Sequence, residues 1–152
     1  MALPAFPSFL ARLNRRLPAL PFSVALTSAL NLALWPTLRG LDWQGLKGRR
    51  FCVRVRDLGL AAYFSLAEGG FAAQVNEQAD VTFTASAQDY MRLALRLEDP
   101  DTLFFDRRLV IEGDTELGLT VKNLLDAVEL EQVVAAMPAG LGSLVMELRQ
   151  RL

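Results

Sequence analysis

The stretch Thr102–Gln132, TLFFDRRLVIEGDTELGLTVKNLLDAVELEQ, decides how the rest of the chain is read. It reads as an aromatic turn, a short strand over 108–112, a Gly113-Asp114 junction and a long amphipathic helix. From Asp114 onward, Leu117, Val121, Leu124, Leu125 and Val128 recur at spacings that place them on one helical face. Lys122, Asp126 and Glu129 are expected on the opposite face, as neighbours in water. Asp114 is placed to accept from the first-turn amides and to complement the helix dipole. Gly113 gives the backbone freedom that a sharp strand-to-helix exit needs. A long helix with a broad apolar face, fed directly by a strand, is expected to lie as a lid on a sheet.

Upstream the periodicity changes from helical to alternating. In RFCVRVRD (50–57), Phe51, Val53 and Val55 alternate with Cys52, Arg54 and Arg56, so one face is apolar and the other wet. Leu60, Ala62, Phe64 and Leu66 continue the pattern, Glu68-Gly69-Gly70 forms a hairpin turn, and Phe71, Ala73 and Val75 follow. Val81, Phe83 and Ala85 make a fourth strand. These strands predict an antiparallel sheet with one side covered. Ser86 and Asp89 then cap a helix whose Tyr90, Leu93, Ala94 and Leu97 face inward while Arg92 and Arg96 mark the solvent side. Glu98-Asp99-Pro100-Asp101 stops it.

The two ends are more apolar. SFLARLNRRL (8–17) places Phe9, Leu10, Leu13 and Leu17 on one helical face and Arg12, Arg15 and Arg16 on the other. This fits either a surface helix packed on the core or a helix lying on an anionic bilayer, touching it through Phe9, Leu10, Arg12, Leu13, Arg15 and Arg16. FSVALTSALNLALWPTL (22–38) carries no charge. It has Ser23, Thr27, Ser28 and Asn31 and a break at Pro36, and it falls short of the roughly 20 apolar residues of a spanning helix. A buried core helix is the leading expectation, with a membrane-touching hairpin next and a membrane span last. After Gln132, Leu141, Leu144, Val145, Leu148 and Leu152 form a terminal amphipathic stripe, expected to dock on the domain.

Absences narrow the chemistry. The chain has 152 residues, enough for one domain with a real core, and its net charge of −1 offers no field to nucleic acid. No histidine is present, which excludes His-based triads and the usual zinc, copper and haem ligand sets. Cys52 stands alone, so no internal disulfide forms and a cytoplasmic setting is the default. Glu98, Asp99 and Asp101 lack the spacing of a cation loop and read as a solvated turn. The row Arg50, Arg54 and Arg56, with Arg107-Arg108, reads as a solvated sheet face, or else as a contact for anionic head groups. EGDTELG has no phosphate-loop pattern.

The segments DTLFF, RRLVIEGDTELGL and VKNLLDAVE, in that order between Asp101 and Glu129, resemble the end of a sterol carrier protein 2 (SCP2-type) lipid-binding domain. More narrowly they are similar to the bacterial accessory factors of oxygen-independent ubiquinone biosynthesis that carry this domain. The likeness reaches back more loosely to about Leu41. It implies an α+β fold: a five-stranded, mostly antiparallel sheet covered on one face by helices that enclose an apolar cavity. Amphipathic helices stand at both ends, with boundaries at 1–40, 41–132 and 133–152.

On that resemblance the cavity is expected between the sheet and its helices, walled by Phe64, Phe83, Leu93, Leu97, Phe104, Phe105, Leu117, Val121 and Leu124. From the residues alone the same positions read as a plain core. The resemblance implies a non-catalytic role without a cofactor: binding isoprenoid quinone precursors and presenting them to a pair of peptidase-like iron–sulfur hydroxylases, on the cytoplasmic face of the inner membrane. The alternatives are a lipid-modifying enzyme using Asp106 or Glu112, whose pKa an apolar pocket would raise, and an interaction domain that binds only protein.

Overall fold

The computed structural model describes residues 18–138 and 140–152. Helix α1 (Leu20–Ala33), helix α2 (Trp35–Leu38) and a 3-10 turn (Gln44–Leu46) lead into strands β1 (Arg50–Val55), β2 (Leu60–Ala67), β3 (Gly70–Ala73) and β4 (Val81–Ala85). Helices α3 (Ala87–Ala94) and α4 (Pro100–Phe105) follow, then strand β5 (Val110–Gly113). Helices α5 (Thr115–Ala127), α6 (Leu130–Ala136) and α7 (Leu141–Arg151) close the chain. The expected SFLARLNRRL helix lies outside the described residues.

The five strands run in the order β3-β2-β1-β4-β5. Three of the four pairings are antiparallel, whereas β1 and β4 run parallel. The reason lies in the register. Ala73, Phe64, Phe51 and Val81 fall in one row across the sheet, so β3 ends level with the start of β4. Crossing three strand spacings takes only about 14 Å, which the short polar connection 74–80 covers. Asp80 pins its far end: the Arg50 amide donates to Asp80 Oδ2 at 2.8 Å, and the Asp80 amide donates to the Arg50 carbonyl at 2.9 Å.

The alternation predicted for the strands sorts the sheet into two faces. Phe51, Ala62, Phe64, Leu66, Val81, Phe83 and Ala85 are buried together, with Leu103, Leu109 and Leu117 closing over them. Cys52, Arg54, Tyr63, Thr82 and Thr84 share the other face by register. Helix α5 sits close on the β4–β5 half. A Cβ on Gly118 would lie 2.3 Å from Ile111 Cγ2, so only glycine allows that approach. The Gly113-Asp114 corner forms as the sequence predicts: Gly113 has φ +90°, and the Leu117 amide donates to Asp114 Oδ1 at 3.0 Å.

Several local expectations are corrected. The long helix is two helices, because Val128 and Glu129 adopt extended backbone between α5 and α6. Lys122 is not in water: it is 9% exposed and ion-paired with Asp101. The aromatic turn is the short helix α4, started by Asp99 accepting from the Thr102 amide at 2.7 Å. The fifth strand begins at Val110 rather than Arg108, because the amides of Arg108 and Leu109 turn back to the Leu103 carbonyl. Pro36 does not end a helix; α1 ends at Ala33, and Pro36 stands in the first turn of α2.

Candidate functional site

The apolar layer between the sheet and its helices is the candidate site. Phe64, Phe83 and Leu117 are buried in it, and Leu93, Val121 and Leu124 pack against it partly buried. Phe104 is half-buried. The remaining two predicted wall residues are not brought in. Phe105 is 77% exposed because α4 turns Leu103 toward the sheet instead, and Leu97 is 37% exposed because α3 ends at Ala94 and the chain turns at Arg96 before it. These side chains form a packed layer: Leu66, Val81 and Leu103 retain almost no solvent contact.

Aromatic rings crowd the β2–β3 end of this layer. Trp35 and Trp43 meet edge-on with centroids 5.1 Å apart, and Trp35 also meets Phe71 at 6.3 Å. Phe51 and Phe64 stack at 5.7 Å. Both tryptophans come from the segment before the sheet, and the strand pattern gave no sign that they would fill it. The signal was present in the sequence as the only two tryptophans, eight positions apart, just ahead of β1.

Helix α1 brings the least expected geometry. Phe22, Leu26 and Leu30 pack on the core, but the next stripe around the helix is polar. Ser23 and Thr27 are buried. The Tyr63 amide donates to Ser23 Oγ at 2.8 Å. Asn31 acts as a strand would, donating to the Phe71 carbonyl at 2.8 Å and accepting from the Phe71 amide at 2.7 Å. Asn31 therefore caps the free edge of β3 and Ser23 the part of β2 that β3 leaves unpaired, where backbone groups would otherwise stand open. Thr27 instead bonds back to the Ser23 carbonyl of its own helix at 2.8 Å. Leu20, Val24 and Leu32, at 40%, 49% and 47% exposure, are left facing out on a helix without a charge. The buried core helix expected from sequence is instead a half-buried edge cap with an apolar outer face.

The polar candidates resolve into structural pairs. Glu98 is ion-paired with Arg108 at 2.7 Å, although its buried Oε2 makes no well-directed hydrogen bond, and Asp101 pairs with Lys122, so these two carboxylates already have counter-charges. Asp89 takes Arg108 as well; burial alone would raise its pKa, but the Arg108 and Arg92 guanidiniums and Ser86 hold it below the usual range. Cys52 is fully buried, and that burial pushes its thiol up despite nearby Arg54, the opposite of a reactive thiolate. Asp106 and Glu112 are exposed and occupy no apolar pocket. Among the described residues no group of His, Cys, Asp and Glu is arranged to hold a metal ion, and no helix is long and apolar enough to cross a membrane.

Arg96, expected on the solvent side, turns inward. Its Nη2 donates to the carbonyls of Leu125 and Val128 at the α5–α6 junction. It lines a cleft of ≈ 280 Å³ together with Glu98, Asp99, Asp126, Glu129, Glu131 and Arg149. This cleft is rimmed by charged side chains, with Val128 and Leu130 also lining it, and stands outside the apolar layer.

Residues 40–126 match the SCP-2 sterol transfer family. The chain is 45% identical over 131 residues to the ubiquinone biosynthesis accessory factor UbiT of Escherichia coli (strain K12), covering 84% of this chain and 73% of that protein. A solved structure of the UbiJ-SCP2 ubiquinone synthesis protein superposes with a TM-score of 0.51 at 23% identity, over 72% of this chain and 96% of that one, a likeness of fold. With a mixed sheet, an apolar face under helices and this match over more than half its length, the chain belongs to the SCP-2 sterol transfer family.

Proposed function

We propose that this protein is a non-catalytic lipid carrier of ubiquinone biosynthesis. It holds an isoprenoid quinone precursor against the apolar face of its sheet and presents it to the enzymes that modify the ring. The observation that carries this reading is the apolar layer itself: one whole sheet face of aromatic and aliphatic side chains, roofed by helices that turn apolar side chains toward it. Each CH₂ moved out of water gains about 0.8 kcal/mol, so a five-carbon prenyl unit is worth roughly 3–4 kcal/mol. A tail of several units needs such a shelter to reach a water-soluble enzyme. The likeness to UbiT supports the ubiquinone pathway; the oxygen-independent branch, and a pair of peptidase-like iron–sulfur hydroxylases as recipients, are part of this proposal.

The same protein docks on the cytoplasmic face of an anionic inner membrane, where its ligand resides. Leu20, Val24 and Leu32 would dip into the bilayer, and Arg12, Arg15 and Arg16, just ahead of α1, would meet lipid head groups. No observation favours a lipid-modifying enzyme, since Asp106 and Glu112 stand in solvent. The test is to incubate the protein with vesicles containing a polyprenylated phenol, re-isolate it and measure the lipid it has taken. Saturable, stoichiometric uptake that is lost in Phe64→Asp or Phe83→Asp supports the carrier. No uptake by the folded parent protein contradicts it.

A further inference from the structure

The apolar layer is packed, so a tail can enter only where one covering element parts from the rest. Helices α6 and α7 are built for that. Helix α6 rests on both α1 and α2 and continues from α5, so it bridges the seam between the N-terminal helices and α5. Its connection to α5 is two extended residues, Val128 and Glu129, with Val128 and Leu130 buried on either side. Helix α7 packs back on α6, with Gly142 against Val134, so the two form one hairpin.

Besides this packing, the corner Leu95-Arg96 after α3 ties down both the connection into the hairpin and its second helix. Arg96 donates to the carbonyl of Leu125, which also accepts from the Val128 amide at 3.1 Å, and to the carbonyl of Val128, so it clamps the end of α5 and the start of the connection to α6. From the other side, Arg149 Nε of α7 donates to the Leu95 carbonyl at 2.9 Å. Arg96 holds a left-handed backbone conformation, φ +55°, which costs a non-glycine residue free energy and persists only where the surroundings impose it. Both guanidiniums sit among Glu98, Asp99, Asp126, Glu129 and Glu131. Removing either cation leaves carboxylates facing one another across the joint, so the loss exceeds that of the hydrogen bonds alone.

We propose that α6–α7 is a lid over the entrance to the apolar layer, hinged at Val128–Glu129, with Arg96 clamping the hinge and Arg149 latching α7 to Leu95. The proposal deepens the carrier reading and rests on it for the lid's purpose. Opening swings the hairpin away from α1–α2 and exposes the seam to the bilayer on which α1 lies. The acidic latch cleft repels anionic head groups, so the head group stays outside while the tail passes under the lid.

The test uses the full chain and two readouts: amide hydrogen exchange without lipid, and transfer of a pyrene-labelled fatty acid from phosphatidylcholine–phosphatidylglycerol vesicles. Arg96→Gly removes the guanidinium while suiting the left-handed backbone, so it separates loss of the hinge clamp from loss of the fold. It should speed exchange of amides in 130–151 about tenfold or more while those of β1, β2 and β4 change less than about twofold, and fatty-acid transfer should rise about fivefold. Arg149→Gln should loosen 141–151 alone. Unchanged exchange in 130–151 in both variants overturns the latch, as does an equal rise throughout the sheet. If the lid loosens but neither parent nor variant takes up fatty acid, the latch stands and the carrier reading fails.

Discussion

Helices α1 and α5 both roof the apolar sheet face, yet they are built in opposite senses. Helix α5 follows the usual order: apolar residues inward, a glycine pressed on Ile111, and a single lysine sealed by an aspartate from α4. Helix α1 buries serine and threonine and shows leucine and valine to solvent. The difference follows from what each one covers. Under α5 lies the face of the β4–β5 pair, which needs only apolar contact. Beside α1 lies an open strand edge, which needs hydrogen bonds. Once the polar stripe is committed to that edge, the apolar residues opposite it have nothing left to cover, and that is the surface we assign to the bilayer.

This contrast can be broken at defined points. The largest effect is expected on the α5 side: Gly118→Leu forces the helix off Ile111 and Val81 and should cost about 3 kcal/mol in chemical denaturation. On the α1 side, Asn31→Ala leaves a donor and an acceptor of Phe71 without partners. It should cost about 2 kcal/mol and free the β3 edge, read as faster amide exchange at Phe71 with the β1–β4 ladder unchanged.

Next comes acid. The folded pKa of Asp89 lies below its unfolded value, so its ion pair with Arg108 contributes stability above pH about 4 and loses it as pH falls through the lowered value. Asp80, held down first by its hydrogen bonds from Arg50, adds to the same limb. Urea midpoints should fall below pH about 4, and Asp89→Asn should flatten that fall while lowering stability at neutral pH. The smallest stability change is the most informative about membrane contact. Leu20, Val24 and Leu32 all changed to Gln should leave stability within about 0.5 kcal/mol yet reduce flotation with anionic vesicles about tenfold or more. Unchanged flotation would remove α1 from the membrane contact.

Strand alternation made the sheet legible from sequence, as did the Gly113-Asp114 corner and the Ser86 cap, because each rests on neighbours within a few residues. The parallel β1–β4 pair was not legible, since it depends on where β3 ends relative to β4 across the whole sheet. Local pattern misplaced Arg96 and Lys122 as well: a long cationic side chain on a helix reads as solvated until a carboxylate or carbonyl from a distant segment meets it. Of the residues expected to wall a cavity, Phe64, Phe83 and Leu117 were readable as strand and helix core positions, and they are buried in the core. Phe105 was misread because DTLFF forms a helical turn that sends consecutive aromatics in different directions. The inverted α1 stripe was in plain view as Ser23, Thr27 and Asn31 at i, i+4 and i+8, but its meaning required knowing that a strand edge lay opposite.

The most direct measurement is the lipid content of the protein as purified from cells making ubiquinone, extracted and identified by mass spectrometry. The account predicts a quinone or polyprenylated phenol, near one per protein molecule, lost in Phe83→Asp. A folded protein that yields no lipid, and whose apolar layer stays closed to added polyprenylated phenol, would contradict it.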